Sequence, residues 1–227
     1  MLDSKGFSLV EMMISMVAGT LVLGAVIGLY TSIMNASHIS VRMTRLNQEL
    51  MAVVNLIARD LQRAGYFAGS ANNFKRTDTN SDGVIDNSDV SAAINTDFVF
   101  KPAIDLQALD SVAPNYDCVL VRYDVDGDGT LSPGDYHGYR YSSISKGIQS
   151  WNSASVSLCN GGSWQSITDN NEVLVTGFTM ELVPPTAVSS SVRSLQITIE
   201  GQHKLDNTLR VRVERLVKIR NGYYQRE

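Results

Sequence analysis

Between Met12 and Met34 the chain carries no charged side chain. Wound as a helix rising about 1.5 Å per residue, that run spans about 35 Å, enough to cross a hydrocarbon core of about 30 Å. Lipid leaves backbone amides no water to bond, so a helix that satisfies its own peptide groups is the form such a run must take. A secretory signal peptide has a shorter apolar region that ends in small residues of the A-x-A kind. No such site follows this run, and the apolar period continues past it without a break. The mean hydropathy of −0.05 therefore averages a segment suited to lipid and a segment suited to water. The 19 basic and 23 acidic residues leave a formal charge of −4, which gives no electrostatic reason to expect nucleic acid as a direct partner.

One charge breaks the apolar pattern. Glu11 stands just inside it, and a carboxylate in lipid costs a few kcal/mol unless it is paired or reaches the headgroups from a helix end. Its neighbours give it a context. The string Lys5-Gly6-Phe7-Ser8-Leu9-Val10-Glu11, followed by uncharged residues through Ala25, resembles the type IV prepilin signature. The resemblance implies that a prepilin peptidase cuts after Gly6 on the cytoplasmic side and that the new N-terminal Phe7 is methylated. Glu11 then becomes the fifth residue of the mature protein, the family's assembly glutamate. In a water-free filament core, that carboxylate and a neighbouring subunit's Phe7 α-amine would neutralise each other and fix the axial register.

Beyond the membrane run, Leu46, Leu50, Val53, Ile57, Leu61 and Ala64 recur at spacings of three and four, with Arg45, Glu49, Arg59, Asp60 and Arg63 between them. The pattern predicts one helix from about Ser8 to Ala64, stopped at Gly65. Its second half packs an apolar stripe on a globular head, with the charged residues off that stripe. After Gly65 short apolar runs alternate with Gly, Pro, Asn and Asp. The expected strands are Phe98–Lys101, Cys118–Tyr123, Tyr136–Tyr141, Glu172–Leu182, Leu195–Glu200 and Thr208–Ile219. The fold class expected is α+β, a long N-terminal helix on an antiparallel sheet, and the resemblance implies that this is a type IV pilin fold. Four parts are expected: a cleaved leader (1–6), a membrane or filament-core helix (7–35), an amphipathic half (36–65) and a β-rich head (66–227). Arg210, Arg212, Arg215, Lys218 and Arg220 in the last strand read as a solvated face or a charged edge that resists unwanted pairing.

Cys118 and Cys159 are the two cysteines of the chain. Two thiols without a histidine pair at metal spacing make no four-ligand zinc site. In an oxidising compartment an even count points to one disulfide, with two buried thiols as the alternative.

Two acidic stretches have the spacing of a twelve-residue calcium loop. In the first, Asp78, Asn80, Asp82, Asp86 and Asp89 stand at positions one, three, five, nine and twelve, Gly83 at six, and Val84 offers its carbonyl at seven. In the second, Asp124, Asp126, Asp128 and Asp135 take positions one, three, five and twelve, Gly129 position six, Thr130 the carbonyl position, and Ser132 a direct or water-mediated one. Pro133 and Gly134 argue against a helix leaving the second loop, so a full EF-hand is not expected. Ordinary Asp/Asn/Gly surface turns are the alternative. The cofactor expected is calcium, one or two ions, in a structural role.

No G-x-S-x-G elbow, P-loop or H-E-x-x-H appears, and His38, His137 and His203 are scattered, so an enzyme is not expected. The stretches Arg59 to Tyr66, Cys118 to Tyr139 and Ile219-Arg220-Asn221 resemble the PilW family of minor pilins. That resemblance implies a protein that helps initiate pilus assembly, at the tip or within the filament. Its partners would be other major and minor pilins and the prepilin peptidase. It would sit in the inner membrane as a single-pass protein with a periplasmic head, and later in an extracellular pilus. A type II secretion pseudopilin shares the processing and the Glu11 logic. A membrane-anchored periplasmic calcium-binding or adhesion module would need neither Glu11 nor Gly6-Phe7.

Overall fold

The computed structural model describes residues 6, 8–68, 97–152, 159–183 and 194–219. Phe7, the whole of the first acidic loop (78–89), Arg220 and Asn221 lie outside the described residues. The chain divides into two compact units, Met1–Arg45 and Leu46–Glu227.

Helix α1 runs Leu9–Arg63, within a residue of the predicted span at each end. In the first unit its large apolar side chains stand uncovered, from Leu9 at 76% exposure to Leu29 at 66%. Threonine hydroxyls in this unit bond the helix itself. Thr20 and Thr31 donate their hydroxyls to the carbonyls of Val17 (2.9 Å) and Gly28 (3.0 Å), so neither demands water.

In the second unit α1 becomes amphipathic. Leu46, Leu50, Val53, Val54, Ile57, Ala58 and Leu61 are buried along one stripe, the result of the three-and-four spacing. The helix ends where Gly65 takes a φ of 79°, a left-handed conformation that glycine adopts without steric cost. The Gly65 amide then leaves the helix register and donates to the Arg122 carbonyl at 2.9 Å.

Two antiparallel sheets face this stripe. The first holds β1 (Leu106–Gln107), β2 (Cys118–Arg122), β3 (Tyr136–Ser142), β4 (Gly147–Asn152) and β5 (Gln165–Ser166), paired in sequence order. The second is a meander of β6 (Val173–Val183), β7 (Ser194–His203) and β8 (Asp206–Lys218). Strict alternation drives the second sheet: every other residue of β7 is buried, including Leu195, Ile197 and Ile199. One core joins the α1 stripe to Val119, Val121, Tyr139 and Ile148 of the first sheet and Val175, Met180, Ile197 and Val217 of the second. A Cβ on Gly201 would lie 3.0 Å from Leu50 Cδ1, so glycine is what lets α1 lie this close to β7.

The structure corrects the expected strand set in three places. The head holds two sheets where one was expected. Phe98–Lys101 is not a strand: Phe100 makes a single bridge, and Pro102 opens the one-turn helix α2 (Pro102–Asp105), its fixed φ suiting a first helical position. β1, β4 and β5 were not anticipated, because β1 and β5 are two residues each and Gln149, Ser150, Gln165 and Ser166 carry little apolar signal. The basic residues of β8 lie exposed or half-buried at the sheet's edge, and its arginines bond locally. Arg212 bonds Glu200 (2.8 Å) and Glu214 (2.6 Å), and Arg215 bonds Asn55.

Candidate functional site

In the first unit Glu11 lies in the first turn of α1, where free backbone N–H groups favour a negative charge. The Met12 amide closes that turn on the Ser8 carbonyl at 3.1 Å. Gly6 is exposed ahead of it. Beside Glu11 the helix presents Val10, Met12, Met13 and Ile14, each more than 60% exposed, with Ser8 and Ser15 one turn before and after it.

In the second unit the acidic loop follows β2. Carboxylate oxygens of Asp124, Asp126 and Asp128 all lie within 4.8 Å of one another. Asp124 is buried and its oxygens are fixed by backbone donors: Gly127 N at 2.7 Å, Ala68 N at 2.8 Å and Gly129 N at 2.9 Å. Those amides, the one of Ala68 foremost, hold its carboxyl below the usual aspartate range. Gly127 and Gly129 have φ near 80°, which lets the chain fold back so that its amides point at Asp124. Asp126 and Asp128 stay exposed, each accepting one amide, from Asp128 (3.3 Å) and Thr130 (2.7 Å). Asp135 is not in this group of three. It is fully buried at the end of the 3-10 turn Pro133–Asp135 and clamps the loop shut, accepting Val125 N at 2.8 Å and Ser132 N at 2.7 Å.

Cys118 of β2 and Cys159 are joined in a disulfide, both fully buried, with Leu120 and Trp164 packed around them. Arg140 covers this corner, its guanidinium 4.4 Å from the Trp164 ring centroid and bonded to the Cys159 carbonyl at 2.9 Å.

Two comparisons with known families bear on this arrangement. Residues 1–27 match the prokaryotic N-terminal methylation motif. Residues 39–219, most of the chain, match the family described as prepilin peptidase-dependent protein B. The chain belongs to that family. No curated protein matches, and no solved structure matches. The prepilin peptidase-dependent chain is thus a type IV pilin-like protein with an N-terminal apolar helix and an α+β head. The family that matches is prepilin peptidase-dependent protein B, not PilW.

Sequence reasoning missed one cluster in this pilin-like head. Asp60 was expected off the apolar stripe with Arg59 and Arg63, yet it is buried, and its two oxygens accept the hydroxyls of Tyr123 and Tyr139. Burial, followed by the bond to Asp60 and that carboxylate's charge, drives the Tyr139 hydroxyl far above the tyrosine range. His137 stacks on Tyr123 with ring centroids 4.5 Å apart. No local signal marks Asp60, because its partners lie 63 and 79 residues away. Asp60→Ala should destabilise the head by about 2–4 kcal/mol, since two buried hydroxyls lose a charged acceptor. Urea unfolding of this variant and the wild type checks it; equal midpoints would show that the cluster contributes nothing.

Proposed function

We propose that this chain is a minor pilin of a type IV pilus that helps initiate assembly and resides in the filament or at its tip. The observation that carries the reading is the lone carboxylate of Glu11 in the first turn of a helix whose apolar side chains nothing in its own unit covers. A bilayer covers such a surface before assembly, and neighbouring pilin helices cover it afterwards. Residues 1–6 serve as the leader, cleavage falls between Gly6 and Phe7, and residues 7–35 remain as the membrane or filament-core segment. The methylation motif and the peptidase-dependent family support this processing. Glu11 then pairs with the Phe7 α-amine of the next subunit, which neutralises both groups where water is excluded. The protein starts in the inner membrane with a periplasmic head and moves to an extracellular filament. A type II secretion pseudopilin would share this processing and the Glu11 pairing. Deletion tests the choice: loss of surface filaments with normal protein secretion supports it, and blocked secretion with normal filaments makes the chain a pseudopilin.

Asp124, Asp126 and Asp128 would hold a divalent cation, with the Thr130 carbonyl and Ser132 as further oxygen donors and Asp135 keeping the loop closed. The donor set is all oxygen, as a hard cation requires, and Asp124 is already fixed by three amides. Calcium is the cation proposed, for an extracellular head bathed in it. The first loop, with Asp78, Asn80, Asp82, Val84, Asp86 and Asp89, is proposed to hold a second ion. With a dissociation constant of about 10⁻⁴–10⁻³ M, about 1 mM calcium adds about 0.4–1.4 kcal/mol per site. The melting temperature should therefore rise by about 1–5 °C over a chelated sample, and by less in an Asp126→Ala/Asp128→Ala variant. Identical melts with calcium and with chelator would remove calcium from the account.

A further inference from the structure

In membrane helices Lys and Arg gather on the cytoplasmic flank and set the orientation. Cut after Gly6, this chain has no lysine or arginine from Phe7 to Val41, so that flank carries none. Its first basic residues, Arg42 and Arg45, follow the apolar run on the head side, where orientation gives them no purpose. They are placed in a pattern. With about 3.6 residues per turn, His38, Arg42 and Arg45 fall within about 60° of one another around α1. All three are exposed. Arg42 makes no ion pair among the described residues.

Their depth follows from the helix rise. At about 1.5 Å per residue, His38 stands about 6 Å and Arg42 about 12 Å beyond Met34, the end of the uncharged run. The headgroup layer extends about 5–8 Å past the hydrocarbon on each side. Helical side chains lean towards the helix N-terminus, which here means back towards the bilayer, and an arginine stem is long enough to carry its guanidinium down to the phosphates. A guanidinium grips phosphate through paired N–H bonds, and the His38 ring adds a donor. Ile39 (47% exposed) and Val41 (50%) continue the uncovered apolar surface into this stretch, so the neighbour it meets is the lipid that already surrounds the run.

We propose that His38, Arg42 and Arg45 bind the phosphate of an anionic phospholipid in the leaflet on the head side. The proposal rests on the reading of α1 as a membrane helix before assembly. It gives the subunit a hold on the bilayer that entry into a filament must release.

The test uses the full-length mature protein in detergent micelles, titrated separately with phosphatidylglycerol, phosphatidylcholine and inorganic phosphate. The side-chain signals of His38 and Arg42 are followed by nuclear magnetic resonance. Phosphatidylglycerol should move both saturably, at a concentration at least tenfold below that needed of phosphatidylcholine. Arg42→Gln, read at His38, should weaken it about fivefold, what one cation contributes at an anionic surface. Arg212→Gln, in the head, should leave it unchanged. Equal response to the two lipids, or inorganic phosphate as effective as phosphatidylglycerol, would overturn the proposal. So would an Arg42→Gln variant that binds as the wild type does, or an Arg212→Gln variant weakened as much as Arg42→Gln. The underlying reading has its own check: protein in phosphatidylcholine vesicles should survive an alkaline wash, and its release would remove the membrane helix and this proposal with it.

Discussion

Glu11→Ala should remove the protein from filaments while leaving it processed and abundant in membranes. Breaking a buried, hydrogen-bonded charge pair by truncating one partner costs about 2–5 kcal/mol, much of it from the charge left behind. In the filament that abandoned charge would be the Phe7 amine of the adjoining subunit, enclosed by apolar side chains such as those of Val10, Met13 and Ile14. Incorporation should therefore fall more than tenfold. Peptidase cleavage should be untouched, because Glu11 lies on the far side of the Gly6-Phe7 bond. Immunoblots of sheared filaments and membranes, compared at equal expression, read both quantities. If Glu11→Ala entered filaments as well as the wild type, the protein would instead be a tethered periplasmic module whose carboxylate merely reaches the headgroups.

The second large effect concerns the head. Replacing Cys118 and Cys159 by alanine opens a loop whose ends lie 41 residues apart in sequence. In the chain-entropy description, a closure of that length is worth about 3–4 kcal/mol. The bridge also does something specific here: it holds the segment after β4 against β2, where Arg140 and Trp164 close the corner. For a head of this size the melting temperature should fall by about 10 °C. Native protein should resist mild reductant, because both sulfurs are fully buried. A double variant that melts within about a degree of the wild type would mean that packing alone holds this corner.

How far the sequence could be read depends on how local each signal is. The α1 span was legible because absence of charge, spacing of apolar residues and a terminal glycine are all properties of one continuous stretch. Strands β2, β3, β6, β7 and β8 were legible from their β-branched and aromatic runs, which alternate as a half-buried strand must. β1, β4 and β5 were not, because Leu106–Gln107 owes its conformation to β2, and Gln149, Ser150, Gln165 and Ser166 owe theirs to β3 and to each other. The disulfide could be anticipated from the count of cysteines once the compartment was inferred. The Asp60 cluster could not. A lone aspartate between two arginines on a helix looks like a solvated face until two tyrosines from another layer arrive to receive it. Asp135 shows a subtler case: spacing offered it as a ligand, and its oxygens accept the backbone amides of Val125 and Ser132. Spacing reports which residues a loop can bring together, and hydrogen bonds decide which of them it holds closed.

The central claim is that this chain is cut at Gly6-Phe7 and enters a filament through its exposed N-terminal helix. Intact mass and N-terminal sequencing of the protein recovered from sheared surface filaments test it most directly. The account predicts a mature chain that begins at a methylated Phe7 and is present at low abundance among other pilins. A chain that still begins at Met1, or one found in membranes but never in filaments, would contradict it.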